Sequence, residues 1–121
     1  MENNLKKDST VGKCPVRIVL DRFGDKWSVL VLLSLDKVEK MRFNELHKIT
    51  GEISAKMLTV TLRTLEADGI VKRTIYPEIP PRVEYEMTER GKSLMPHIHN
   101  LTSWAEENML AILESRNQFK G

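Results

Sequence analysis

The chain has 121 residues, of which 40% are hydrophobic and 30% are charged, and its formal net charge is +2. This length and composition predict a single globular domain. The sequence has no apolar run approaching the roughly 20 residues of a membrane span and no secretory signal pattern, so we expect cytoplasmic localisation without a membrane partner. The single cysteine, Cys14, cannot form an intrachain disulfide, which fits a reducing compartment.

The order of apolar residues predicts five helices and one β-hairpin. The helices are predicted at residues 14–24, 26–36, 43–49, 54–68 and 88–116, and the hairpin at 70–87. The segment 26–36 is apolar almost all round, which is typical of a helix buried on several sides. Pro96 lies within the last helix and is expected to kink or divide it, because proline lacks a backbone N–H donor.

The segment before the third helix predicts a short strand. Met41 to Phe43 are expected to form an edge strand that pairs with the hairpin. Within the third helix, Phe43, Leu46 and Ile49 are expected to face the core. Residues 1–12 are polar and predict a flexible arm.

The segment from Ser54 to Gly91 carries the clearest structural signal. Ser54 is a favourable N-cap residue, and Leu58, Leu62 and Leu65 lie on one face of the helix that follows. Asp68 and Gly69 end this helix, and a basic hairpin with a proline-rich turn follows. This order predicts an α+β winged helix-turn-helix, with a two- or three-stranded antiparallel sheet and helices at the N- and C-terminal ends. Double-stranded DNA is therefore the first partner to consider.

The outward face of the helix over 54–68 is a candidate DNA-reading surface. With the three leucines inward, Lys56, Thr59, Val60 and Arg63 point away from the core. Arginine can bind guanine with two hydrogen bonds, and an exposed valine can contact a thymine methyl group. An ordinary solvated amphipathic helix is the alternative. The predicted DNA contacts also include cations of the strands and residues at the start of the helix. The full set is Arg42, Ser54, Ala55, Lys56, Thr59, Val60, Arg63, Arg73 and Arg82. Of these, Arg73 and Arg82 are expected near the strand ends, where a wing reaches phosphates or the minor groove.

Six ordered blocks of sequence carry a family resemblance. They are Cys14-Pro15-Val16, Gly24-Asp25-Lys26-Trp27, Arg42-Phe43-Asn44-Glu45-Leu46, Ile53-Ser54-x-Lys56-Met57-Leu58, Leu62 to Arg73 and Pro80 to Gly91. Together they resemble the signature of HxlR-type winged helix-turn-helix regulators, which are MarR-like DNA-binding proteins. Asp25 departs from the pattern, because the family often has a second glycine there. We expect no functional loss from this departure.

This resemblance implies a bacterial, cytoplasmic homodimer that binds a pseudo-palindromic operator and usually represses nearby genes. The winged-helix domain is expected at residues 13–112, with the end of the last helix and a tail at 113–121. The terminal helices would form the dimer interface, and the last helix has a longer apolar stripe than a small domain needs. The predicted interface residues are Val16, Leu94, Ile98, Leu101, Trp104, Ala105 and Ile112. The alternative is that this stripe packs wholly within one subunit.

Cys14 is a candidate sensor of oxidants or electrophiles. It lies at a predicted helix start between Lys13 and Arg17, and both the helix N-terminus and nearby cations favour the reactive thiolate. Some regulators that resemble this chain sense oxidants, quinones or aldehydes through a cysteine near this position. A structural role in packing is the alternative.

Other classes of function find little support in the sequence. His97 and His99 are two residues apart on a helix and diverge, so we expect no metal site. The chain lacks a glycine-rich phosphate loop and a nucleophile elbow, so we expect no enzyme activity and no cofactor. The main rival to a DNA-binding regulator is a protein-interaction module on a winged-helix scaffold that does not bind DNA.

Overall fold

The computed structural model describes residues 14–120, so the predicted arm at residues 1–12 lies outside the described part of the chain. Within that part, five helices and three strands form an α+β arrangement, and the predicted winged helix-turn-helix fold is confirmed. The elements in chain order are α1 (Pro15–Phe23), α2 (Ser28–Asp36), β1 (Met41–Arg42), α3 (Phe43–Thr50), α4 (Ala55–Ala67), β2 (Val71–Tyr76), β3 (Arg82–Met87) and α5 (Glu89–Gln118). No helix within residues 14–120 is long and apolar enough to cross a membrane.

The three strands form one antiparallel sheet in the order β1-β3-β2. In the hairpin, Val71 lies opposite Met87 and Tyr76 lies opposite Arg82. Met41 of β1 pairs with Tyr85 on the other side of β3. The predicted edge strand is therefore present at Met41 and Arg42, whereas Phe43 begins α3 instead of extending the strand.

The core forms where α2 packs between the other helices and the sheet. Every helix and strand except α1 contributes a buried apolar residue, and α1 contacts the core through the half-buried Phe23. The buried apolar residues are Val31, Leu32, Leu35, Met41, Leu46, Ile53, Leu58, Leu62, Leu65, Ile70, Val71, Tyr85, Met87, Met95 and Ile98. The predicted central position of α2 is confirmed by Val31, Leu32 and Leu35, whose side chains are almost fully enclosed.

Asp25 caps the start of the central helix α2. Its Oδ1 accepts the backbone N–H groups of Trp27 and Ser28 at 2.7 Å each, and its Oδ2 accepts the Ser28 hydroxyl at 2.6 Å. Burial raises the pKa of Asp25, but the hydrogen bonds from Ser28 and Trp27 outweigh this effect and leave the pKa lowered. The residue that departs from the family pattern therefore supplies an N-terminal cap that a glycine could not provide.

Two sequence-based expectations about helices need correction. Ile49 is 57% exposed and does not face the core. The half-buried His47 lies on the inner side instead, where its Nε2 is 2.8 Å from the carbonyl oxygen of Ile53. Of the two outcomes expected at Pro96, division of the last helix is wrong, since α5 runs without a break from Glu89 to Gln118, and a kink there stays a prediction.

Candidate nucleic-acid interface

Helix α4 is fixed at both ends and along one face. At its start, the Ser54 hydroxyl accepts the backbone N–H of Met57 at 3.0 Å, as its N-cap position predicts. At its end, Gly69 adopts a φ of 73°, a conformation that glycine takes without a Cβ clash. Leu58, Leu62 and Leu65 are buried, so their packing determines which face of α4 points to solvent.

The opposite face of α4 is exposed, as the helical spacing predicts. Lys56, Thr59, Val60 and Arg63 all lie at the surface, and Val60 is 50% exposed. The Thr59 hydroxyl donates to the carbonyl oxygen of Ala55 at 2.9 Å, which leaves its lone pairs as the free hydrogen-bonding groups. This surface therefore combines the cations of Lys56 and Arg63, the hydroxyl acceptor of Thr59 and the two methyl groups of Val60.

One flank of this face was missed by the sequence reasoning. Met57 is 41% exposed, and Thr64 is half-buried seven residues further along the same side of α4. The seven-residue spacing is the signal that could have identified them, because residues seven apart share a helix face. The solvent-accessible surface beside the predicted face of α4 thus includes Met57 and part of Thr64.

Arg82 lies at the predicted place in the wing but in an unexpected environment. It is the first residue of β3, beside the hairpin turn. Its Nη2 is 3.3 Å from Glu78 Oε2, its Nε is 3.5 Å from Glu84 Oε2, and its guanidinium stacks 4.1 Å over the Tyr76 ring. Arg82 is therefore a half-buried cation paired with carboxylates of the wing itself, which corrects the expectation of a side chain free to reach phosphates.

Arg73 also differs from its predicted position. It lies in the middle of β2, opposite Tyr85, and not at a strand end. Its Nε is 3.4 Å from Glu66 Oε1 of α4. Arg73 thus connects the wing to α4, while the neighbouring Lys72, which the prediction left out, has the exposed position on this strand.

The remaining predicted contacts surround α3 and the start of α4. Arg42 is exposed at the end of β1, where its backbone N–H donates to Glu45 Oε1 at 2.8 Å. Ser54 and Ala55 are exposed at the start of α4, where free backbone N–H groups favour an anion. The structure thus brings Arg42, α3 and α4 into one helix-turn-helix unit.

Cys14 lies at the N-cap position of α1 with an exposed thiol. Its side chain does not cap the helix, whose first turn begins with Pro15. Arg17 is exposed one turn later, whereas Lys13 lies outside the described residues. Within residues 14–120, no group of three or more His, Cys, Asp or Glu side chains is placed to hold a metal ion.

The predicted dimer residues divide into two groups. Val16, Leu101 and Trp104 are exposed at 63%, 61% and 55%, while Ala105 and Ile112 are half-buried. Ile98 is buried in the core of its own subunit and Leu94 packs against that core, which corrects their assignment to an exposed stripe. Further large apolar residues that the prediction omitted are exposed on α1, α2 and α5 and at the end of the chain: Ile18, Val19, Leu20, Leu30, Met109, Leu110, Leu113 and Phe119.

Comparisons with known proteins place this architecture in a family. The sequence profile described as HxlR-like helix-turn-helix matches residues 22–112. The HTH-type transcriptional regulator YybR of Bacillus subtilis is 44% identical over 102 residues, which cover 84% of this chain and 80% of YybR.

Solved structures show the same relationship. The redox regulator HypR in its reduced form has a TM-score of 0.77 and 43% identity, covering 84% of this chain and 99% of that chain. Diamide-treated YodB from B. subtilis has a TM-score of 0.67 and 32% identity, covering 78% of this chain and 94% of that chain. The chain therefore belongs to the HxlR-like helix-turn-helix family and is a winged-helix transcriptional regulator.

Proposed function

We propose that the protein is a cytoplasmic, homodimeric, sequence-specific repressor that binds a pseudo-palindromic operator. The observation that carries this proposal is the outward face of α4, where Lys56, Val60 and Arg63 are exposed. The leucines on the opposite face of the same helix are buried in the core. In this arrangement α4 enters the major groove and the β2–β3 wing lies beside the DNA backbone.

The chemistry of this face suits base reading better than simple charge neutralisation. Arg63 can bind guanine O6 and N7, and Val60 can contact a thymine methyl group. Lys56 lies near the start of α4, where the helix dipole also favours a phosphate. A surface that served only to stay hydrated would have no need for the exposed methyl groups of Val60.

A two-fold dimer would present two such helices to successive major grooves. The apolar residues exposed on α1 and α5, among them Val16, Leu101 and Trp104, support this assembly because patches of this kind mark partner surfaces. Two-fold symmetry in the protein matches a palindromic operator, with half-sites roughly 34–36 Å apart or a multiple of that spacing.

A mobility-shift titration with the DNA upstream of the protein's own gene tests this function. We expect a complex that survives an excess of random-sequence competitor and weakens steeply with salt, because counterions are released from the phosphates. Repression would then be shown by a reporter gene under that upstream DNA. If specific and random DNA compete equally over all upstream fragments, the rival function as an interaction module without DNA binding becomes the better account.

The helix and the wing are expected to respond differently to loss of an arginine. Arg63→Ala should reduce preference for the operator over mismatched sites by about 1–3 kcal/mol, because a base contact is lost. Arg82→Ala should weaken binding to all sequences alike, because it leaves Glu78 and Glu84 without their cation beside the DNA backbone.

Fluorescence anisotropy on operator, single-mismatch and random duplexes measures both effects. Lys92→Ala is the matched control, since Lys92 is an exposed cation on α5 and belongs neither to the outward face of α4 nor to the turn of the wing. Unchanged operator affinity in both arginine variants would contradict these assignments.

We further propose that Cys14 makes the regulator responsive to oxidants or electrophiles. Its thiol is exposed at the start of α1, in an element that carries apolar residues of the proposed dimer surface. Two similar proteins support this proposal. HypR is a redox regulator whose reduced and oxidised forms have both been solved. YodB has been solved after treatment with diamide. Because residues 14–120 contain this one thiol, a response would use an intersubunit bridge, a small-thiol adduct or direct alkylation.

Treatment with diamide or a quinone is expected to change operator affinity of the parent and to leave Cys14→Ser unaffected. A change of subunit orientation would alter the separation of the two α4 helices, which must enter grooves at a fixed spacing. Mass spectrometry confirms that the thiol was modified in each sample. Full operator affinity in a fully modified parent would assign Cys14 a structural role instead.

A further inference from the structure

The turn that ends α4 is held by arginines from two other helices. Asp68 Oδ2 accepts the Nε–H of Arg22, which lies at the end of α1, at 2.7 Å. The backbone carbonyl of the same Asp68 accepts a hydrogen bond from Arg90 Nη1 of α5 at 3.0 Å. The carboxyl end of the candidate reading helix is thus connected both to the helix that begins at Cys14 and to the long last helix.

The carboxylate of Asp68 is not explained by the requirements of α4 itself. Asp68 is the C-cap residue, and a negative charge at that end of a helix is opposed by the helix dipole. Its backbone N–H bonds to Thr64 O at 3.2 Å, a role that any non-proline residue could fill. The charge is instead matched by Arg22, which lies in the last turn of α1, where a cation is favourable.

Packing within the subunit holds α1 less firmly than the other helices. No residue of α1, all of which the structure describes, is fully buried, and its contact with the core is made by the half-buried Phe23. A cavity of about 540 Å³ lies between α1 and the α4–β2 turn, with Ile18, Val19 and Phe23 on one side and Ile70 on the other. The Arg22–Asp68 pair crosses the rim of this cavity and is a direct connection between the two elements.

We propose that Arg22 and Asp68 are positioning residues through which α1 sets the orientation of α4. This inference rests on the proposed function, in which α1 carries Cys14 and part of the dimer surface. A displacement of α1 would be transmitted to the end of α4 by the ion pair, even though neither residue lies on the DNA-reading face.

Operator discrimination in a double-mutant cycle tests this connection. Arg22→Gln and Asp68→Asn are each expected to lower the ratio of operator to random-DNA affinity by about two- to fivefold, the range for a partly exposed ion pair. The double variant should lose no more than the stronger single variant, because both remove the same interaction. Arg17→Gln makes the same change in α1 at a position rotated by roughly 140° from Arg22 at 100° per residue, and it should keep the parent ratio. Additive losses, or an equal loss in Arg17→Gln, would overturn the proposal.

A second measurement is independent of DNA and of any response at Cys14. Amide hydrogen exchange over residues 64–70 should become faster in Arg22→Gln and stay unchanged in Arg17→Gln, with both variants folded. If the parent failed to bind its operator, the proposed function would be wrong. The exchange rates of residues 64–70 would still show whether Arg22 holds the end of α4. Equal protection of residues 64–70 in the parent and Arg22→Gln would refute it.

Discussion

Replacing Leu101 and Trp104 with glutamate is expected to yield a monomer that binds the operator about 10²–10⁴-fold more weakly. Both residues are more than half exposed on α5, so the substitutions place charge at the proposed interface without opening the subunit core. The loss follows from valency, because two linked reading helices bind a palindrome far more tightly than one helix binds a half-site. Sedimentation at micromolar concentration and operator titration measure the two effects together.

Ser103→Glu is the matched control for this pair of substitutions. It adds one negative charge on α5 where the double variant adds two, but position 103 is rotated by roughly 160° from position 101 at 100° per residue, and its side chain is exposed. We expect a dimer with the parent's affinity. A parent that sediments as a monomer, or a Leu101→Glu/Trp104→Glu variant that remains dimeric, would contradict the proposed interface.

Leu62→Ala is expected to lower the free energy of unfolding by about 2–5 kcal/mol, because truncating a buried leucine leaves a cavity. Leu62 is almost completely enclosed at the contact between α4 and the rest of the core. Chemical denaturation of the parent and the variant measures the loss. The experiment requires the same protein concentration throughout, since dimerisation contributes to apparent stability.

Val60→Ala provides the contrast on the same helix. It removes methyl groups from the exposed face of α4, so the free energy of unfolding should stay within about 0.5 kcal/mol of the parent. Its effect should appear in operator preference instead, at positions where thymine is required. A large stability loss in Val60→Ala, or a negligible one in Leu62→Ala, would mean that the inward and outward faces of α4 are assigned incorrectly.

The elements of the fold could be predicted because their signals are local. The leucine spacing of α4, the Ser54 cap and the turn at Gly69 depend on residues only a few positions apart, and each is confirmed. The same spacing correctly separated Leu62 from Val60 and Arg63. Local periodicity thus predicted both the element and its outward surface.

The errors concern contacts that depend on how strands and helices pack, which local spacing does not specify. The expectation that Arg82 reaches phosphates did not account for its pairing with Glu78 of the turn and with Glu84 two residues along β3. Nor did it account for its stacking on Tyr76, which lies opposite Arg82 in the hairpin register. The apolar stripe of α5 likewise does not reveal where the helix leaves the core. Ile98 packs inside the subunit, whereas Leu101, one turn later, is exposed.

The capping role of Asp25 was also missed, for a related reason. Aspartate two or three residues before a helix is a capping signal only if the intervening turn aims its carboxylate at the first backbone N–H groups. Here Asp25 lies beside Trp27 and Ser28 and accepts from both. The backbone path of that turn, which composition does not specify, decides the outcome.

The most direct test of α4 as the DNA-reading helix uses the fact that Cys14 is the chain's single cysteine. In a Cys14→Ser/Val60→Cys protein, an iron chelate attached at position 60 would cleave nearby DNA, and Cys14→Ser/Lys92→Cys serves as the control. We expect the label at position 60 to cut the operator in two clusters about 10–10.5 base pairs apart, or at a multiple of that spacing, and the control to cut neither. The absence of localised cleavage from position 60, with the labelled protein still bound, would contradict the assignment of α4 to the major groove.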